Sequence, residues 1–274
     1  MMNLADALDA VALDFPFDNY LFDMAEHRLV GSIALTLLNG PTGSRRLLDV
    51  GAGACDKSAV LAELGFDVVA VDTFLDPWHA HDHRILDAIA RFASLHKVDL
   101  RVGWLAEQVP MGEPFEIVLL NAVIEHLHDS PRDLLNECIS RLSVNGHLLV
   151  TMPNSVNLRK RLDVLRGRTN YVPARMFFDA PTPWGGHVRE WTPAETALLL
   201  GWAGLSNVRV TTRNTMAAQR LSNPVVRRVY EATTRLLLPS TCDTIVAVAS
   251  RPPNWKPVPD PDPNVPTREI IFRH

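Results

Sequence analysis

The chain has 274 residues, 47% of them hydrophobic, with 27 basic and 31 acidic side chains and a formal net charge of −4. That length allows one large α/β core with a small appendage, and the charge supplies no general attraction to nucleic acid or anionic lipid, so any basic patch has to be local. Cys55, Cys138 and Cys242 are far apart and lack paired zinc spacing; with an acidic N-terminus and no apolar run of membrane-spanning length, they predict a soluble, cytoplasmic protein without a disulfide framework.

In chain order, YLFDMAEHRLVGSIALTLL (20–38) has apolar residues at helical spacing and predicts a leading helix ended by Asn39, Gly40 and Pro41. Residues 1–44 are read as an N-terminal helical cap. Short β-branched and leucine-rich runs follow at 45–50, 66–71, 98–102, 115–120 and 146–151, separated by helical patterns at 56–64, 82–96 and 130–143. Crossover helices bury such strands from both sides, which makes a doubly wound, parallel α/β sheet. Residues 153–191 then break the alternation with aromatics, prolines and a basic cluster, too long for a plain connection. A helix at 192–205 opens on Thr192, Pro193 and Glu195 in N-cap, first-turn and capping-box positions. A strand at 207–212, a helical stretch at 223–237 and a strong strand at 243–250 complete the domain, read as 45–252. The proline-rich tail, 253–274, is predicted to be extended, either draped over the surface or disordered.

The first chemical signal is LLDVGAGAC: a strand carrying Asp49, then Gly51 and Gly53, then a helix. Such a turn sits at the carboxyl edge of an open α/β sheet, where ligands bind, and its glycines admit positive φ and close ligand approach. A dinucleotide turn needs a third glycine where Cys55 or Asp56 stands, and an acid there opposes a pyrophosphate. The turn suits a ligand presenting an ammonium, which Asp49 could bind. Asp72 ends the second strand, 19 residues after Gly53, in position to accept hydrogen bonds from both ribose hydroxyls.

LLDVGAGAC, the strand-terminal Asp72, FEIVLLNAVIEHLHD and VNGHLLVTMPN together resemble the class I S-adenosylmethionine-dependent methyltransferases over roughly residues 45–250. The resemblance implies a Rossmann-like, seven-stranded mixed sheet with an antiparallel last strand, and S-adenosylmethionine as cofactor. It implies that Gly51 and Gly53 line the methionine part, that Asp72 holds the ribose, and that residues after the third and fourth strands surround adenine and sulfonium. Trp104, Leu105 and Asn121 occupy those places, with Trp104 offered for adenine stacking where relatives carry an acid. The branch resembled most is that of quinone-biosynthesis and related small-molecule O-methyltransferases. In that setting the insertion 153–191 is an acceptor lid, and the acceptor is a sugar, phenol, quinone or lipid-linked hydroxyl.

A base is needed near the ends of strands four and five when the acceptor is a hydroxyl. His126, in NAVIEHLHD, and His187, in PWGGHVREW, are the two catalytic candidates. Tyr171, Arg175, Arg189 and Trp191 are the candidate acceptor contacts. Asn121 and Ile124 stand where quinone enzymes place acids, which argues against a required metal. WHAHDHR (78–84) is read as a polar loop in preference to a metal site. LRKRLDVLRGR (158–168) is read as an amphipathic lid helix packed on the sheet, in preference to a membrane-surface helix. A dinucleotide-dependent oxidoreductase and a non-catalytic cofactor-binding protein remain the alternatives.

Overall fold

The computed structural model describes residues 2–18, 24–38, 44–76, 83–112, 114–215, 221 and 223–261. Two helices lead, α1 (Leu4–Asp14) and α2 (Met24–Leu37). The sheet units follow: β1 (Arg46–Val50), α3 (Asp56–Glu63), β2 (Asp67–Asp72), α4 (His83–Leu95), β3 (Asp99–Val102), α5 (Leu105–Gln108), β4 (Phe115–Asn121), α6 (Pro131–Ser140) and β5 (Leu142–Pro153). The insertion contributes α7 (Leu158–Leu165) and α8 (Ala174–Phe178); then come α9 (Pro193–Trp202), β6 (Ser206–Arg213), α10 (Pro224–Ala232) and β7 (Thr244–Ser250).

The seven strands run β3-β2-β1-β4-β5-β7-β6. The first five pair in parallel, and β7 lies antiparallel between β5 and β6. This is the mixed, doubly wound sheet that the resemblance implied. The winding reverses between β1 and β4, so their carboxyl ends open the cleft where an open α/β sheet binds its ligand.

Strand periodicity divides the core into two layers. Leu48, Val50, Val118 and Leu120 face α6 and α9, while Leu47, Ile117 and Leu119 face α1 to α4. Both faces are buried, which is why these strands read as unbroken apolar runs. Ala7, Leu8 and Val11 of α1 and Val30 and Ala34 of α2 belong to the second layer, so the N-terminal helices are built into the core.

Several local signals act as read. Thr192 and Glu195 form a reciprocal capping box on α9, with Pro193 in its first turn. The tail over 253–261 lies on the surface: Trp255 donates to the Ala203 carbonyl at 2.8 Å, and Asn136 and Val258 exchange two hydrogen bonds of 2.9 Å. All three cysteines are free and buried. Among the described residues no helix is long and apolar enough to cross a membrane.

Candidate functional site

The glycine turn hangs on the neighbouring strand: Gly51 N–H donates to the Val71 carbonyl at 2.8 Å. Gly51 has φ +73°, and a Cβ there would lie 2.6 Å from Val123 Cγ2, so this position needs glycine for both conformation and space. Gly53 has φ +52°, with nothing within 4 Å of its would-be Cβ. The turn is thus tight on one side and open on the other. Cys55, where a third glycine was looked for, takes a left-handed conformation as the N-cap of α3. Its thiol is buried and pushed far up by burial and by the surrounding acids, so it is no nucleophile.

Three acids surround the turn and do different things. Asp72 clamps it, its two carboxylate oxygens accepting from Gly53 N–H and Phe74 N–H at 2.8 Å each. Asp49 is buried beneath it; Ser58 Oγ donates to one oxygen at 2.6 Å, and the other has no partner. Burial pushes Asp49 up to about 6. Asp56, read from sequence as a charge facing the ligand, is instead buried and paired with His27 at 2.9 Å and Lys57 at 3.5 Å. Burial alone would raise it, but those two partners hold it below the usual carboxylate range. Lys57 also reaches Glu26 of α2 at 3.6 Å. Glu26, His27 and Lys57 were not singled out from sequence; the available signal was a charged pair on the inward side of an otherwise apolar helix.

Trp104, at the N-cap of α5, is 59% exposed. Leu105 is a correction: its side chain packs in the core layer with Val109, so it contributes no side-chain surface to a ligand. Asn121 ends β4 and accepts from Thr151 Oγ1 at 2.7 Å, which ties the ends of β4 and β5 together.

The two candidate bases meet. The rings of His126 and His187 stand edge to face with centroids 4.9 Å apart. His126 Nδ1 lies 3.2 Å from the Gly185 carbonyl oxygen, and His187 Nδ1 lies 2.8 Å from Glu190 Oε1. Both partners are acceptors, so each Nδ1 carries the proton and each Nε2 is left bare. Burial lowers both rings, and for His187 the neighbouring His126 and Lys160 charges add to it, to about 4. Each neutral ring thus offers an Nε2 lone pair, on two histidines that are both exposed and stand side by side. Glu190 is held in turn by an ion pair with Lys160.

Beneath them Glu125 is fully buried with neither carboxylate oxygen partnered, and its backbone carbonyl accepts from Val188 N–H at 2.7 Å and Arg189 N–H at 3.2 Å. The turn after β4 thereby carries the lid. Glu125, His126 and His187 bring donor atoms within 4.8 Å of one another, a grouping able to hold a metal ion that the sequence did not disclose because His187 belongs to the lid. Of WHAHDHR (78–84), residues 78–82 lie outside the described residues.

The other acceptor candidates do not converge. Arg189 reaches Glu195 at 2.9 Å and covers the Trp191 ring at 4.4 Å, while Trp191 packs in the core with its Nε1 unpartnered. Tyr171 is exposed, and Arg175 pairs with Asp179 and lies over Phe178. Tyr171 and Arg175 thus face solvent, in a stretch, 168–181, that is mostly exposed. The lid helix departs from expectation too: on α7 the buried residue is Lys160, and Val164 and Leu165 are exposed.

A family model described as a methyltransferase domain matches residues 23–210. The chain belongs to the methyltransferase-domain family. The class is that of the S-adenosylmethionine-dependent enzymes, with S-adenosylmethionine as cofactor, and this replaces the dinucleotide oxidoreductase alternative. Over 120 residues the methyltransferase is 34% identical to a ubiquinone biosynthesis O-methyltransferase of Caulobacter sp. (strain K31), covering 42% of this chain and 43% of that protein. The alignment spans less than half of that relative's length. Its fold is similar to a SAM-dependent methyltransferase from Archaeoglobus fulgidus, with TM-score 0.51 and 18% identity over 82% of this chain and 94% of that one. It is also similar to the Burkholderia thailandensis 1,6-didemethyltoxoflavin-N1-methyltransferase, with TM-score 0.52 and 17% identity over 91% and 87% of the two chains.

The methyltransferase's own residues fit the cofactor. The unpartnered, buried oxygen of Asp49 offers a place for an ammonium, the space above Gly53 leaves room for a ligand, and each Asp72 oxygen keeps a second lone pair for a ribose hydroxyl. The ionised form of Asp49 is the one that pairs with an ammonium. S-adenosylhomocysteine affinity is therefore expected to rise between about pH 5 and pH 7 as Asp49 loses its proton. Calorimetric titration checks this, and an Asp49→Asn variant should flatten the profile.

Proposed function

We propose that the methyltransferase transfers the methyl group of S-adenosylmethionine to a hydroxyl oxygen of a small acceptor: a sugar, a phenol or quinone, or a lipid-linked alcohol. The observation that carries this reading is the pair of neutral imidazoles with bare Nε2 atoms. A hydroxyl gives up its proton to a base as its oxygen attacks, whereas a neutral amine attacks through its free lone pair without one. The name of the Caulobacter relative, an O-methyltransferase, supports oxygen.

The bound cofactor would supply an electrophilic methyl whose departure leaves a neutral thioether. Asp49, Gly51, Gly53 and Asp72 would hold it, with Trp104 and Asn121 beside it. The protein's remaining tasks are alignment, exclusion of water and removal of one proton. His187 is the base: its Nε2 takes the hydroxyl proton, while Glu190 fixes the tautomer and stabilises the resulting imidazolium, the part a carboxylate plays behind a catalytic histidine. His126 holds the Gly185 turn and forms the edge of the acceptor space. The insertion 153–191 is the acceptor lid, with Arg189 and Trp191 supporting its hinge. Buried, free cysteines support a reducing, cytoplasmic setting.

The test begins with cofactor binding and continues with turnover. Asp72→Ala should weaken S-adenosylhomocysteine binding about 100-fold, since it removes an anion that orders the turn and leaves two buried-side N–H groups without acceptors. Unchanged affinity removes the ribose assignment. Methyl-labelled S-adenosylmethionine is then offered with hydroxylated acceptors and with their amine counterparts. Transfer to the amines alone overturns the oxygen reading, and tight cofactor binding without any turnover supports a non-catalytic role.

A further inference from the structure

The lid helix is inside out. On α7 the side chain turned inward is Lys160, committed to Glu190, whereas Val164 and Leu165 face outward, Leu165 at 82% exposure. The same holds further along the insertion, where Met176, Phe177 and Phe178 of α8 are exposed, Phe178 at 81%. A second helix repeats the pattern: α10 buries none of its residues and exposes Val225, Val226 and Val229, followed by Leu236 at 74%.

These elements lie together. Asn154, ahead of α7, donates to the Ser240 and Cys242 carbonyls in the stretch that joins α10 to β7, and the Arg159 charge of α7 acts on the Tyr230 phenol of α10. Phe177 packs edge-on against Trp184 at 5.2 Å, and the Trp184 carbonyl accepts from His128 at 2.9 Å. The apolar surface therefore runs up to the turn that carries the candidate bases.

Its charge is opposite to that of the whole chain. Apart from the inward Lys160, residues 158–179 hold five arginines against Asp163 and Asp179, and residues 224–238 hold three arginines against Glu231, in a protein of net charge −4. We propose that this surface, α7 and α8 of the lid together with α10, docks the protein on an anionic lipid bilayer. Protruding helices with Leu, Phe and Val on the outer side and arginines around them are the arrangement by which interfacial helices enter the acyl boundary while their cations meet lipid phosphates. A second copy of the chain would set like charge against like charge. A nucleic acid would leave the aliphatic side chains without a role. Docking stands apart from the oxygen-acceptor reading and does not depend on it, although it would bring a lipid-borne acceptor to the lid's edge.

The full chain is sedimented with vesicles of phosphatidylcholine alone and of phosphatidylcholine with phosphatidylglycerol, at about 0.05 M and about 0.5 M NaCl. Binding is expected only to the anionic vesicles, and weaker at high salt. The double variant Leu165→Asp, Phe178→Asp and the double variant Arg166→Glu, Arg168→Glu should each bind at least about tenfold less, whereas Leu13→Asp, at an exposed position of α1, should bind as the parent does. All variants are checked for unchanged S-adenosylhomocysteine affinity, which keeps loss of docking distinct from loss of the cofactor site. No binding to anionic vesicles, or equal binding by all variants, overturns the proposal. So does a dimer in analytical ultracentrifugation that the lid substitutions dissolve, which would assign the surface to a second copy.

Discussion

Replacing His187 by Asn is expected to lower kcat about 100-fold or more, with S-adenosylhomocysteine affinity unchanged, because the only step removed is transfer of the acceptor's proton. Glu190→Gln should cost less, about tenfold, since the imidazole remains but the anion that stabilises its protonated form is gone. His126→Asn should act mainly on KM, as its Nδ1 serves the Gly185 carbonyl and its ring only borders the space. The pH profile carries the sharper test. Desolvation and the His126 and Lys160 charges push His187 down while the Glu190 carboxylate at 2.8 Å opposes them, so kcat should fall with acid only below the range of an ordinary imidazole. A profile that already falls below about pH 7 would mean that acceptor binding restores an ordinary imidazole. A large kcat loss in His126→Asn with little in His187→Asn would exchange their roles.

Sequence reading reached the sheet because its inner strands, β1, β2, β4 and β7, are buried on both faces, and continuous apolar runs between helical patterns admit few other arrangements. It read residues 1–44 as a helical cap but placed only the helix at 20–38, and did not delimit α1, which Asn3 caps and in which Leu4, Leu8 and Val11 follow at helical spacing. It placed the start of β5 too late, because the strand begins at Leu142 and passes through a register shift, with Asn145 at positive φ, before the obvious run. That the glycine turn would meet Asp72 was legible from spacing: Gly51, Gly53 and Asp72 are brought together by adjacent parallel strands in fixed register. The acceptor side was not. That His126 meets His187, and that Lys160 turns inward to Glu190, depend on how a long insertion folds back, and no local pattern encodes which face of an amphipathic helix the protein will use.

Glu125→Gln is expected to gain stability relative to the parent as pH rises through about 8. The Glu125 carboxyl is fully buried with no hydrogen-bond partner, and burial, reinforced by Glu26, pushes it up to about 8 from an ordinary 4.5. Between those two values the folded chain keeps a proton that the unfolded chain has lost. The contribution to stability is therefore complete below about 4.5 and is lost as pH rises through about 8. Gln copies the neutral acid's shape and does not titrate. Burying its amide without partners costs about 1–3 kcal/mol at every pH, so the quantity to compare is the change with pH. Urea unfolding of parent and variant at about pH 5 and about pH 8.5 should show the variant gaining on the order of 3 kcal/mol relative to the parent between the two. An equal difference at both values would mean that the folded protein holds Glu125 ionised, with a cation drawn to the Glu125, His126 and His187 group as the first explanation to test by adding a chelator.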